Sequence, residues 1–321
     1  MTTSLPGNRY VASAMAFAAD NATHVHSLRR TSRLVRGRER SAAVHLFTPR
    51  ETSRPRAAVA LIPGGALTPE ANFYALGPNL MAANPRRVFA FPDTPGTGHS
   101  GRDVRDLSHR EYAVLYLHAL RAVVGETPCV LGGHSQGGGY AQTVARINDE
   151  RAVGGPDNPR NGRLNLAGLL LLDPVPLEGA RYILWRFARR PTATGVVRHI
   201  VCTPAASDEM VAYFRWALGA DKALSPRATW ANIGGRDFPD ANHPFTGPVL
   251  ILGAEDSGTI KQDRLWRMQA SAAYPRGVYQ AIGSAPDEPA GHLDYLAYRR
   301  TTQAITAFLD DCFEAAPGRD P

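Results

Sequence analysis

Short, continuous apolar runs recur along the chain at residues 57–62, 88–91, 128–131, 166–172 and 248–252. Runs of this kind mark strands covered on both faces. A further strand is expected over 278–282. Ahead of the series, residues 33–36 and 42–46 alternate apolar and polar positions about Gly37, which predicts a hairpin. Helical signals fill the gaps between the runs. Thr68-Pro69-Glu70 offers a capping hydroxyl followed by proline at the first helical position. Ser108 and Glu111 form a capping box, and an amphipathic helix should follow to about Val124. Another helix should run from Gly138 to about Asn148, and a last one over 293–313. A short helix is expected within 10–20, and 149–163 reads as a surface loop rich in Gly, Pro and Asn. Strands alternating with helices predict an α/β fold, a mostly parallel sheet with helices on both faces. In such sheets the chemistry gathers beyond the carboxyl ends of the strands.

One strand end carries a recognisable device. Gly133-His134-Ser135-Gln136-Gly137 lies between the apolar run 128–131 and a helical stretch. Strand, G-x-S-x-G, helix is the context of a nucleophile elbow. Its glycines let strand and helix backbones approach, and its turn lifts the serine hydroxyl clear of the sheet. The N-terminus of the following helix points N–H groups at developing negative charge. A serine hydroxyl is inert in neutral water unless a base removes its proton, and imidazole suits that task. His292, preceded by Gly291 in the loop after the last strand, is the expected base. Asp256, after the strand 248–252, is the expected carboxylate behind it; Asp173, after 166–172, and Glu255 are its rivals. The oxyanion should be held by the N–H of Gln136 and one from Gly65 or Ala66, since Pro63 has none to give.

The landmarks in this order resemble the α/β-hydrolase superfamily over roughly residues 31–313. They are Pro63-Gly64-Gly65, Asp93-x-x-Gly96-x-Gly98-x-Ser100, the Ser135 elbow, Gly253-x-x-Asp256 and Gly291-His292. The resemblance implies an eight-stranded, mostly parallel sheet flanked by helices, and a serine esterase or lipase-like activity through a Ser-His-Asp triad. Many relatives carry His-Gly where this chain has Pro63-Gly64. A serine at 135 rather than an aspartate argues against the haloalkane dehalogenase and epoxide hydrolase branches.

The connection from about 177 to 246 is far longer than the usual few residues, which predicts a lid. The organisation then reads as an N-terminal extension over 1–30, a hydrolase core over 31–176 and 247–321, and a helical lid over 177–246. Helical stretches are expected there at 178–190, 207–218 and 225–233. The lid aromatics Trp185, Tyr213, Phe214 and Trp216 are candidates to wall an apolar pocket. Its arginines leave room for an anionic acyl carrier as partner.

Composition narrows the partners. The formal charge is +7, and Lys222 and Lys261 are the only lysines. No nucleic-acid motif accompanies the arginines, so no nucleic acid is expected. No apolar run is long enough to span a bilayer. Cys129, Cys202 and Cys312 lack metal-ligand spacing and form no disulfide framework, so a reducing cytoplasm is the expected compartment. The alanine-rich stretch 11–19 keeps secretion as the alternative. No cofactor and no metal is expected. The substrate expected is a small carboxylic ester with an apolar portion, with thioester, lactone or C–C hydrolysis as alternatives on the same triad. A perhydrolase and a non-catalytic ligand receptor on the same scaffold are the remaining readings.

Overall fold

The computed structural model describes residues 7–51, 57–65, 67–104, 107–153, 163–174, 194, 198, 202, 206–220, 241–285, 288 and 290–314. Eight strands form one sheet: β1 (His24–Val35), β2 (Arg38–Pro49), β3 (Ala58–Ile62), β4 (Val88–Pro92), β5 (Cys129–His134), β6 (Leu166–Leu172), β7 (Val249–Ala254) and β8 (Gly277–Ile282). Their order is β1-β2-β4-β3-β5-β6-β7-β8. β1 and β2 form the antiparallel hairpin, β2 pairs antiparallel with β4, and the other pairs are parallel. The mostly parallel sheet expected from the apolar runs is present.

Alternation along the strands divides the core into two layers. Val59 and Leu61 of β3, Val130 of β5 and Leu170 and Leu172 of β6 face one layer. That layer is closed by α1 (Arg9–Ala16), α3 (Leu76–Ala83) and α8 (Arg299–Glu314) through residues such as Phe17, Leu80 and Leu309. Ala58, Ala60 and Ile62, with Leu131, Leu169 and Leu171, face the other layer. There α4 (His109–Val124), α5 (Gln136–Val153) and α7 (Gln262–Gln269) supply Leu117, Val144 and Leu265. Two further helices matter for the site, the single turn α2 (Pro69–Asn72) and α6 (Asp208–Ala220). No helix among the described residues is long and apolar enough to cross a membrane.

The capping signals act as expected. Thr68 caps α2 ahead of Pro69, and Ser108 and Glu111 complete the capping box of α4. Three boundaries differ from expectation. β1 begins at His24 rather than near Arg33, because a strand at the sheet edge tolerates exposed polar residues such as Arg29 and Arg30 on either face. α5 continues past Asn148 to Val153. The last helical stretch is two pieces: a 3-10 turn over Asp294–Ala297, an extended Tyr298, then α8. Of the three lid helices expected, α6 matches 207–218; the stretches 178–190 and 225–233 lie outside the described residues.

Candidate active site

β5 runs straight into α5 through a single residue. Ser135 occupies that turn at φ 53°, in the left-handed region that side chains other than glycine rarely adopt. Its N–H still donates to the Leu172 carbonyl at 2.9 Å, so the sheet holds the strained residue in place. The crossing is tight. A Cβ on Gly137 would fall onto the carbonyls of Ile62 and Pro63, and one on Gly133 onto the backbone of Gly137. Only glycine fits either place, which is the physical content of the G-x-S-x-G pattern. Ser135 is half-buried, while Gly133, His134, Gln136 and Gly137 around it are buried. The hydroxyl-bearing residue alone is open to a ligand.

Asp173 follows β6, the neighbour of β5, and is also at positive φ, 39°. It is fully buried. Its N–H donates to Leu252 O at 2.6 Å, which fixes the turn against β7. Its Oδ2 accepts from Ser257 Oγ at 2.6 Å and makes a short hydrogen bond with Nδ1 of His292. His292 is buried to 5% exposure.

Asp256, the carboxylate expected behind His292, is directed elsewhere. It is exposed, and its Oδ2 accepts from Ser284 Oγ. Its backbone N–H donates to Ala290 O at 3.0 Å. Glu255 is exposed too and accepts from Ser284 N at 2.9 Å. Asp173 ends the strand beside the elbow strand, whereas Asp256 follows one strand further out and buttresses the loop that leads to His292.

A second set of contacts ties the loop that carries His292 to the loop after β3. His134 is buried; its Nε2 donates to the carbonyl of His292 at 2.7 Å, and the two rings lie 4.6 Å apart between centroids. A neutral ring with its proton on Nε2 presents Nδ1 as an acceptor, and Asn72 Nδ2 sits 3.2 Å from it. Asn72 Oδ1 in turn accepts from Gly64 N. Gly64, Asn72, His134 and His292 therefore form one linked run beneath Ser135. Nothing in the sequence singled out Asn72 or Ser257 for this work; neither belongs to a motif.

Burial, then the nearby His292, holds the His134 pKa well below the usual imidazole value. The unfolded chain titrates near 6.5, so below that pH it binds a proton that the folded chain does not. The stability that His134 contributes is therefore present above about pH 6.5 and is lost as pH falls below it. Between about pH 6.5 and 5.5, urea titrations should show the native protein losing about 1 kcal/mol more than His134→Gln. Equal losses would mean that His134 is charged in the folded state.

The remaining expected site residues fall as follows. Gln136 begins α5 directly after Ser135, and its side-chain Nε2 donates to Tyr140 Oη at 3.2 Å. Gly65 is half-buried beside Gly64, and Ala66 lies outside the described residues, as does Trp185. Tyr213 and Phe214 do not wall an open pocket. Both have zero exposure and pack with Tyr74, and Tyr213 Oη donates to Ala71 O at 2.7 Å. They hold α6 against α2 as core. Trp216 is half-buried at the edge of that cluster.

Known structures share this arrangement of elements. A thermophilic esterase from Thermogutta terrifontis is 21% identical, with 91% of this chain and 100% of that chain covered at a TM-score of 0.64. A bromoperoxidase from Bacillus anthracis is 15% identical, covering 88% and 100%, also at 0.64. The carboxylesterase CesB from Bacillus subtilis is 14% identical, covering 94% and 97% at 0.63. Among curated proteins none matches. The family model described as "Alpha/beta hydrolase family" matches residues 59–304, and with that match over most of its length the chain belongs to the alpha/beta hydrolase family.

Proposed function

We propose that the protein is a serine hydrolase that cleaves a carboxylic ester with an apolar portion through an acyl-enzyme. The observation that carries this reading is the pairing of His292 Nδ1 with the fully buried Asp173, at the carboxyl edge of the strand beside Ser135. A carboxylate on Nδ1 fixes the tautomer in which Nε2 is the acceptor, and it stabilises the imidazolium that forms in the reaction. Ser135 is then the nucleophile, His292 the general base and acid, and Asp173 the orienting group. This reading moves the role expected for Asp256 to Asp173. The donors for the oxyanion are the Gln136 N–H at the start of α5 and one from Gly65 or Ala66.

The steps follow from these places. His292 Nε2 takes the hydroxyl proton as Ser135 Oγ bonds to the ester carbonyl carbon. The tetrahedral oxyanion collapses, the C–O bond to the alcohol breaks, and the imidazolium gives its proton to the leaving oxygen. Water then repeats the sequence on the acyl-serine, with His292 as base. The known esterases of similar fold support the choice of an ester.

A fluorophosphonate probe tests the central step. It should add a single phosphonyl group, and peptide mapping should place it on Ser135. Absence of label, or label on another residue, would overturn the proposal. A p-nitrophenyl ester series of increasing acyl length reads the apolar preference.

A further inference from the structure

Two strands from the elbow, at the carboxyl end of β4, four side chains from three different segments converge. They are His45 of β2, Glu70 of α2, Asp93 just after β4, and His99 of the loop that follows. One ligand-capable atom from each lies within 4.8 Å of every other. His45 Nε2 is 3.1 Å from Glu70 Oε1 and 3.4 Å from Asp93 Oδ1. His99 Nδ1 is 3.5 Å from Asp93 Oδ2.

These separations have a meaning of their own. Ligands about 2.0–2.1 Å from a tetrahedral zinc ion sit about 3.3 Å from one another. The distances from His45 Nε2 to the two carboxylates bracket that value. His45 and Asp93 are buried to 1% and 0% exposure, and His45 Nε2 and Asp93 Oδ1 make no aligned hydrogen bond, although they lie within ion-pair distance of each other. Buried polar atoms are otherwise nearly always satisfied. Here two of them aim into the same small space. The far side of the His45 ring is held: Nδ1 lies 3.2 Å from His26 Nε2, the kind of outer partner that orients a ligating imidazole.

From this geometry we propose that His45, Glu70, Asp93 and His99 form a structural site for a zinc-class divalent cation. Two imidazoles and two carboxylates suit zinc, whereas magnesium and calcium favour oxygen ligands alone. Four protein ligands leave no open position, so the ion is structural rather than catalytic. It would pin β2, α2 and the 93–101 loop to one another. α2 also carries Asn72, which holds Gly64, so the ion would brace the loop beside Ser135 from behind. The spacing 45, 70, 93, 99 matches no metal motif, and the sequence led to the opposite expectation.

Metal content and melting test this without any measurement of turnover, so the result is independent of the esterase reading. Tag-free protein stripped with chelator and incubated with ZnCl2 should retain one zinc per chain after desalting. Its Tm should rise by about 5 °C at saturating zinc. MgCl2 and CaCl2 should give neither effect. His99 is 47% exposed at its side chain, so His99→Ala removes a ligand without opening the core. His99→Ala and Glu70→Gln should each weaken zinc binding at least about tenfold. Failure of the unsubstituted protein to retain zinc, or binding in both variants as tight as in the native chain, would overturn the proposal.

Discussion

Ser135→Ala is expected to lower kcat by about 10⁴- to 10⁶-fold while the protein stays folded. The alanine cannot form the acyl bond, so what survives is the rate that oriented water and the oxyanion donors support alone. The side chain is small and half-buried, and the turn is fixed by backbone contacts of Leu172, Gly133 and Gly137 rather than by the hydroxyl. Its Tm should therefore stay close to that of the native protein. KM should change little, because the nucleophile contributes chiefly in the transition state. Stopped assays with a p-nitrophenyl ester give the ratio. A variant retaining a substantial fraction of native kcat would remove Ser135 from the mechanism.

Asp173→Asn should cost about 10⁴-fold in kcat, whereas Asp256→Asn should cost little. The two carboxylates differ in what faces them. Asp173 Oδ2 meets His292 Nδ1 in a buried setting, so an amide there would turn an N–H toward the ring and favour the wrong tautomer. His292 could then no longer accept the Ser135 proton. Asp256 is exposed and accepts from Ser284, so its amide keeps the volume and loses a surface contact. Side-by-side kinetics decide the matter. If Asp256→Asn were the crippled enzyme and Asp173→Asn the active one, the assignment of the acid would be reversed.

The parts legible in the sequence were those written in local chemistry. Buried strands announce themselves as apolar runs, capping residues mark helix starts, and G-x-S-x-G records a backbone crossing that admits no Cβ. The carboxylate that meets His292 was not legible in this way. Both β6 and β7 are followed by an aspartate within a few residues, and which of them meets His292 depends on how the loops come together in space. That is a property of tertiary packing, which no local pattern encodes. Tyr213 and Phe214 illustrate the same limit: an aromatic on a helix reads alike whether it walls a pocket or fills a core. The four-residue cluster at the end of β4 was invisible for a related reason, since its members come from three separate segments of the chain.

The N-terminal helix has a consequence for how the chain is made. Val11 and Ala14 of α1 and Phe17 just after it belong to the core, and Asn8 Nδ2 and the Arg9 N–H donate to Glu209 O and Oε1 at 2.9 and 2.8 Å. Those partners lie 201 and 200 positions further along. At ordinary rates of translation, about 5–20 residues per second, α1 waits about 10–40 s after its own synthesis for the segment that completes its contacts. Until then Asn8 and Arg9 have no Glu209 to bond, whereas Phe17 can already pack on Phe47 and Phe91, so the docking of α1 is completed in two stages.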